Sequence, residues 1–381
     1  MSSSRSAIGI IPLFSSLILA IGLMNHVFVI PPLLQEAKRD AWISVLAATV
    51  PLLIWICLLY YIMRSTKQQP IMSWVEQHYG RRISWIIRLS VTVYIALIGV
   101  TTVKETAMWT HISYLPRTPI LVLSLTLIIP CLYAAYYGLR TISIASGIML
   151  PFVIIFGDLV MGSNIPRKDY TLLTPLLENG WEPVLRGGIY IGGGLAELVV
   201  ILLLQHHFKS RIRLSALWLL ALFVIVLVLG PLTGAIAEFG PYEAALLRYP
   251  AYEEWRLVKI GKYITHLDFL SIYQWLSGAV IRLAISLYIL VEVLSLQKKR
   301  HKLISILSSS ILYVILAQLP VSDMQYVTFL NQIYFPVSLA YGVILTLTLL
   351  LLIILAKAKE RKSDGSKQPP DGGKPASNVP E

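Results

Sequence analysis

The chain has 381 residues, of which 56% are hydrophobic and 14% charged, and its formal net charge is +12. A soluble domain of this size cannot hide so much apolar surface in one core, so the composition calls for a bundle whose outer surface faces lipid. Excess Lys and Arg in such a bundle belongs to cytoplasmic loops, which removes any need for a nucleic-acid surface.

The apolar runs fall at 8–30, 41–63, 83–108, 119–138, 141–162, 187–206, 212–232, 269–296, 303–320 and 333–356. Each is long enough to cross a hydrocarbon core of ~30 Å. They predict an all-α integral membrane protein with ten transmembrane helices filling residues 8–356. The opening MSSSR leads into a long apolar run with no small-residue cleavage site, so it reads as a retained first span and not a signal peptide. Residues 1–7 form a short N-terminus. Residues 357–381 are rich in Lys, Asp, Gly, Pro and Ser and read as a disordered tail.

The loops alternate in charge. Arg5, Arg64, Lys67, Arg81, Arg82, Arg140, Lys209, Arg211, Arg213, Lys298, Lys299, Arg300, Lys302, Lys357, Lys359, Arg361 and Lys362 fall in one set. The other set is mixed or acidic, with Glu36, Lys38, Arg39 and Asp40, then Arg167, Lys168, Asp169, Glu178 and Glu182, and the lone Asp323. With an even number of spans, this pattern puts both termini in the cytoplasm. Two outer loops, 163–186 and 238–268, mix prolines, aromatics and charges. They can carry short surface helices or lids over a pathway, or they can be ordered caps on the bundle.

Backbone donors and acceptors in lipid need internal partners, so a helix interruption marks a buried or cavity-lining place. The first span holds Gly22, Asn25 and His26 and ends in Pro31-Pro32. The sixth holds Gly192-Gly193-Gly194, with Glu197 and Leu198 just beyond. Three glycines each cost about 1 kcal/mol against alanine in a helix. An unwound segment is the favoured reading, and close helix packing through small residues is the alternative. Spans one and six open two sets of five helices, which gives a five-plus-five inverted repeat with broken helices one and six. Ligands in such proteins sit at the breaks.

Polar residues at helical spacing extend the candidate site. Tyr94, Ile98, Thr101 and Glu105 share a stripe on span three, with Glu105 as an interfacial partner for Lys104. Trp275, Gly278, Arg282 and Ser286 share one on span eight. Glu197 and Arg282 are the deepest charges. They form either a salt bridge joining spans six and eight or a gating or proton-coupling pair. Asp158 is a weaker candidate near the outer interface. His26 either contacts a ligand or hydrogen-bonds a freed carbonyl. His206-His207 caps span six more readily than it binds metal. No phosphate-binding glycine loop, HExxH, CxxC or GxSxG occurs, so no enzyme chemistry, cofactor or metal is expected. Cys57 and Cys131 lie in apolar runs and offer neither a disulfide framework nor a zinc site.

Several stretches together carry a family resemblance: GLMNHVFVIPPLL with DAWISVL, LPRTP, AAYYGLR, LLTPLLENGWEPVLRGG, YPAYEEWR and LDFLSIYQW. In order and spacing they resemble the spore germination permease family, the B subunits of nutrient germinant receptors, within the amino acid–polyamine–organocation superfamily. That family often has arginine just before the Leu-Asp pair, where this chain has His266. The resemblance implies the inverted-repeat fold and a pocket among helices one, three, six and eight. Residue by residue it points to Gly22, the Tyr94 to Thr101 segment, Gly193 to Leu198, and Trp275 to Gly278. It implies a nutrient sensor, with an amino acid the expected ligand and A and C subunits as partners, in the spore inner membrane or bacterial cell membrane. The competing reading is a proton- or sodium-coupled amino-acid secondary transporter.

Overall fold

The computed structural model describes residues 7–261 and 263–365, with side chains through residue 360. Residues 1–6, with Arg5, and the tail from 366 onward lie outside the described residues, as do the side chains of Arg361 and Lys362. The part of the expected tail that is described, 357–365, continues the last helix.

Among the described residues nine helical stretches are long and apolar enough to cross a membrane. The first, Ile10–Ser65, spans 56 residues. It bends at the 3-10 turn Lys38–Asp40, where Lys38 has φ 46°, and so divides into two arms. The first arm comprises α1 (Ile10–Leu23), a π-helical turn Met24–Phe28, and α2 (Ile30–Ala37). Then come α3 (Ala41–Ser65), α4 (Ile71–Ser113), α5 (Ile120–Tyr137) and α6 (Leu139–Asn164). The sixth arm comprises α7 (Trp181–Leu195), a 3-10 turn Ala196–Val199, α8 (Val200–Leu204) and a second 3-10 turn Gln205–His207. It leads to α9 (Leu214–Phe239), the short α10 (Pro241–Leu246) and α11 (Pro250–Arg256), then α12 (Phe269–Val293) and α13 (Lys299–Ala317). The last arm joins α14 (Asp323–Phe329) through a π turn, Leu330–Tyr334, to α15 (Phe335–Gly365).

Glycine makes two of the sharp corners. Gly80 at φ 81° turns the chain inside α4, so 71–79 forms a separate helical segment before the span. Gly138 at φ 99° lets α6 start one residue after α5 stops. Both conformations lie in the left-handed region that glycine enters without a side-chain clash.

The sixth arm and α12 are the innermost, each with 78% of its most apolar window buried. α12 packs against α1, α4, α5, α6 and α13, and α7 packs against α2, α3 and α15. The two loop sets gather at opposite ends. At the basic end, Gln68 donates to the Gln205 carbonyl and Ile8 N–H to the His207 carbonyl. At the other end, Asp40 accepts from Leu177 N–H and Tyr114 donates to the Asp268 carbonyl. α10 packs on α2 and α9, and α11 on α6 and α9.

Candidate functional site

The centre of the bundle is held by one guanidinium. Arg282, on α12, forms a paired contact with the Glu197 carboxylate, one limb of which measures 2.6 Å. Its Nε donates to Thr102 Oγ1 at 2.8 Å, Nη1 to the Ala20 carbonyl at 3.0 Å, and Nη2 to Tyr334 Oη at 3.2 Å. Tyr334 in turn donates to Glu197 at 2.7 Å. Arms one, three, six, eight and ten thus meet at one side chain. Both charges are 2% exposed, and a buried pair is tolerable only when it is satisfied this fully. The void left beside them measures about 20 Å³.

The 3-10 turn Ala196–Val199 carries Glu197. Gly192, Gly193 and Gly194 do not unwind; they stay within regular α7. Their smallness serves contact. A Cβ at Gly193 would collide with the Phe335 backbone, and one at Gly194 with Asn25 Oδ1 and Val29. The helix departs from α geometry two residues after the last glycine. That departure is a tightened turn, whereas in the first arm it is a widened one; neither is a gap, and in the first arm Val29 N–H still reaches the Met24 carbonyl at 3.1 Å.

A larger cavity of about 300 Å³ lies to one side, between α1, α6, α9 and α12. Gly22, His26, Trp275 and Gly278 line it, with Asp158, Gln274 and Tyr249. A Cβ at Gly278 would lie 2.9 Å from Leu23 Cβ, so this glycine sets the α1–α12 crossing beside the cavity. Trp275 stacks on Trp109 with ring centroids 4.0 Å apart and meets Tyr249 edge-on. His26 Nδ1 bonds the Leu227 carbonyl of α9 at 3.0 Å, which is the carbonyl-bonding reading of that residue. Gln274 is engaged on both sides, donating to the Val153 carbonyl and accepting from Trp255.

The remaining sequence candidates sit in packed contacts. Tyr94 bonds Ser338, which donates to the Gly193 carbonyl. Thr101 bonds back to its own helix. Asn25 donates to Ile21 O and leaves a buried Oδ1 against Gly194. Ile98 borders the small central void, and Leu198 is buried in the core. Glu105 pairs with Arg248 at 2.8 Å and not with Lys104, whose ammonium reaches the Ala317 and Leu319 carbonyls. Sequence reasoning missed Thr102, Tyr334 and Trp109.

A family model described as "Spore germination protein" matches residues 9–325. The chain belongs to the spore germination protein family. Spore germination protein XB of Bacillus anthracis is 42% identical over 326 residues, covering 85% of this chain and 91% of that protein. Spore germination protein KB of Bacillus subtilis strain 168 is 21% identical over 66% of this chain and 69% of its own length. The fold matches solved transporters. Mhp1, a nucleobase-cation-symport-1 family transporter in a closed conformation with bromovinylhydantoin, gives a TM-score of 0.62 at 12% identity, covering 90% of this chain and 78% of that one. MhsT in complex with L-phenylalanine gives 0.58 at 12%, covering 91% and 97%. This germination protein is therefore a multi-pass membrane protein with a transporter-like helical fold. Its family is not an enzyme family.

Proposed function

We propose that the chain is the nutrient-sensing B subunit of a spore germinant receptor. It would bind an amino acid or a similarly small nutrient and pass the change to A and C subunits in the spore inner membrane. The basic loop face would be cytoplasmic, following the positive-inside tendency. A five-plus-five inverted repeat would relate the arms, with the widened turn in arm one and the 3-10 turn in arm six as counterparts.

One observation carries the receptor reading over the transporter reading: the Arg282–Glu197 network fills the centre. Moving a solute through that centre would require breaking a desolvated ion pair and its hydrogen bonds in the same step. A sensor needs only that ligand favour one packing of the arms over another. The cavity beside Gly22, His26, Trp275 and Gly278 is the place for that ligand. Its volume sits at the lower end of the range for small-molecule sites, ~300–1,000 Å³. Asp158 is the lining group suited to an ammonium, and the Trp275 face to an apolar side chain.

The test is germination of spores carrying Trp275→Ala or His26→Ala, scored against a panel of single nutrients. The expected result is loss of response to one nutrient class, with the protein still present in the membrane. An unchanged response in both variants would remove the cavity from the account.

A further inference from the structure

At the basic end of the bundle two histidines and a carboxylate converge. His206 and His207 are consecutive residues on the 3-10 turn that ends the sixth arm, and Glu292 lies in the last turn of α12. Consecutive residues of a 3-10 turn, at three residues per turn, point about 120° apart. Yet both Nε2 atoms turn to the same carboxylate: His206 Nε2 is 3.0 Å from Oε1 and His207 Nε2 is 3.7 Å from Oε2. The rings are tilted by 42° with centroids 4.0 Å apart. The three potential donor atoms lie within 4.8 Å of one another. Tyr288, one turn before Glu292, donates to its Oε2 at 2.8 Å and lies 3.0 Å from His207 Nε2.

We infer that His206, His207 and Glu292 form a site for a divalent transition-metal ion of the zinc type. Two donors each about 2.0–2.1 Å from one ion at a tetrahedral angle lie about 3.3 Å apart. The observed 3.0 and 3.7 Å bracket that separation for the two histidine–carboxylate pairs, and the whole donor set lies within 4.8 Å. Two imidazoles with one carboxylate is a donor set that suits zinc and leaves a fourth position for water. Tyr288 supplies the hydrogen bond that orients the carboxylate ligand. The ion has a route in, because the trio lines a cavity of about 550 Å³. Arg88, which lines the same cavity, is neutralised by Glu76 at 2.9 Å and does not oppose a cation there. Arg140 and Lys302 also line it, but both are exposed to solvent screening.

The site ties elements together. It joins the end of arm six to the end of α12, beside the point where Ile8 N–H meets the His207 carbonyl at 2.8 Å. A bound ion would therefore hold arms one, six and eight closed at the basic face. This inference stands apart from the nutrient reading.

The test uses the full chain, purified in detergent after removal of metals, and titrated with Zn²⁺ alone. One ion per chain is expected, with a rise in melting temperature as Zn²⁺ saturates. Co²⁺ in its place should give the visible absorption of a four-coordinate ion. Glu292→Gln and His206→Ala should each weaken Zn²⁺ binding at least about tenfold. Lys302→Gln, which changes the same cavity without removing a donor, should bind as the wild type does. Absence of stoichiometric Zn²⁺ on the wild-type chain overturns the proposal. So does undiminished binding by Glu292→Gln and His206→Ala when they elute as monodisperse protein.

Discussion

Glu197 and Arg282 face each other with 2% exposure apiece, so removing one strands the other as a dry charge. Breaking a buried pair from one side costs about 3–5 kcal/mol, whereas replacing both partners with apolar groups is often neutral. Arg282→Met alone should therefore lower the melting temperature of the purified chain sharply, and adding Glu197→Leu should recover most of the loss. If the double variant proved no better than the single, the pair would not be the centre of the network. Gly278 acts through shape. A side chain there would press on Leu23 Cβ at 2.9 Å and the Leu19 carbonyl at 3.2 Å, forcing α1 away from α12. Gly278→Leu should abolish nutrient response in spores, and an unaltered dose response would show that the crossing is irrelevant to sensing.

The glycine run of α7 shows where a single sequence stops informing. Its composition fits both an unwound peptide and a close contact. What decides between them is the Phe335 backbone, some 140 residues away along the chain and invisible from position 193. A backbone neighbour cannot step aside, so Gly193→Ala should cost about 1–3 kcal/mol in thermal stability through overpacking. The same limit hid Thr102. Periodicity picked the stripe through Thr101, but Thr101 bonds its own helix and its neighbour reaches Arg282. The long apolar runs, by contrast, coincide with the nine stretches among the described residues that are long and apolar enough to span, because lipid-facing surface must be apolar whatever lies behind it. The short α10 and α11, brief and mixed in composition, were legible only as short surface helices within the loop 238–268, without bounds. α11 also carries Glu254, buried beside Lys168 at 3.6 Å with Glu238 close by. Burial holds the Glu254 carboxyl well above the usual carboxylate range, and Glu238 adds to the rise while Lys168 opposes it. The folded α11 segment thus keeps a proton that the unfolded chain has released at the same pH. Its stability should be full at acid pH and fall as pH rises through the elevated folded value. Amide exchange across 250–256 should quicken at alkaline pH in the wild type and lose that dependence in Glu254→Gln. Exchange that slowed with alkali, after allowance for intrinsic rates, would reverse the assignment.

At the scale of the whole molecule, a transporter-like frame encloses a filled centre and an off-centre cavity. The frame follows from arms one and six changing helical pitch without opening, so side chains rather than bare peptide groups close the middle. Arg282 gathers five arms there, and the cavity touches two of them, α1 and α12. A ligand in the cavity can thus reach the network through α1 and α12 without crossing it. Equilibrium binding and uptake of the same radiolabelled amino acid, on the purified chain in sealed vesicles, test this most directly, using the nutrient identified by the spore panel. Saturable binding that Trp275→Ala removes, with no accumulation inside the vesicles under a proton or sodium gradient, is the expected outcome. Gradient-driven accumulation would contradict it and make the chain a transporter.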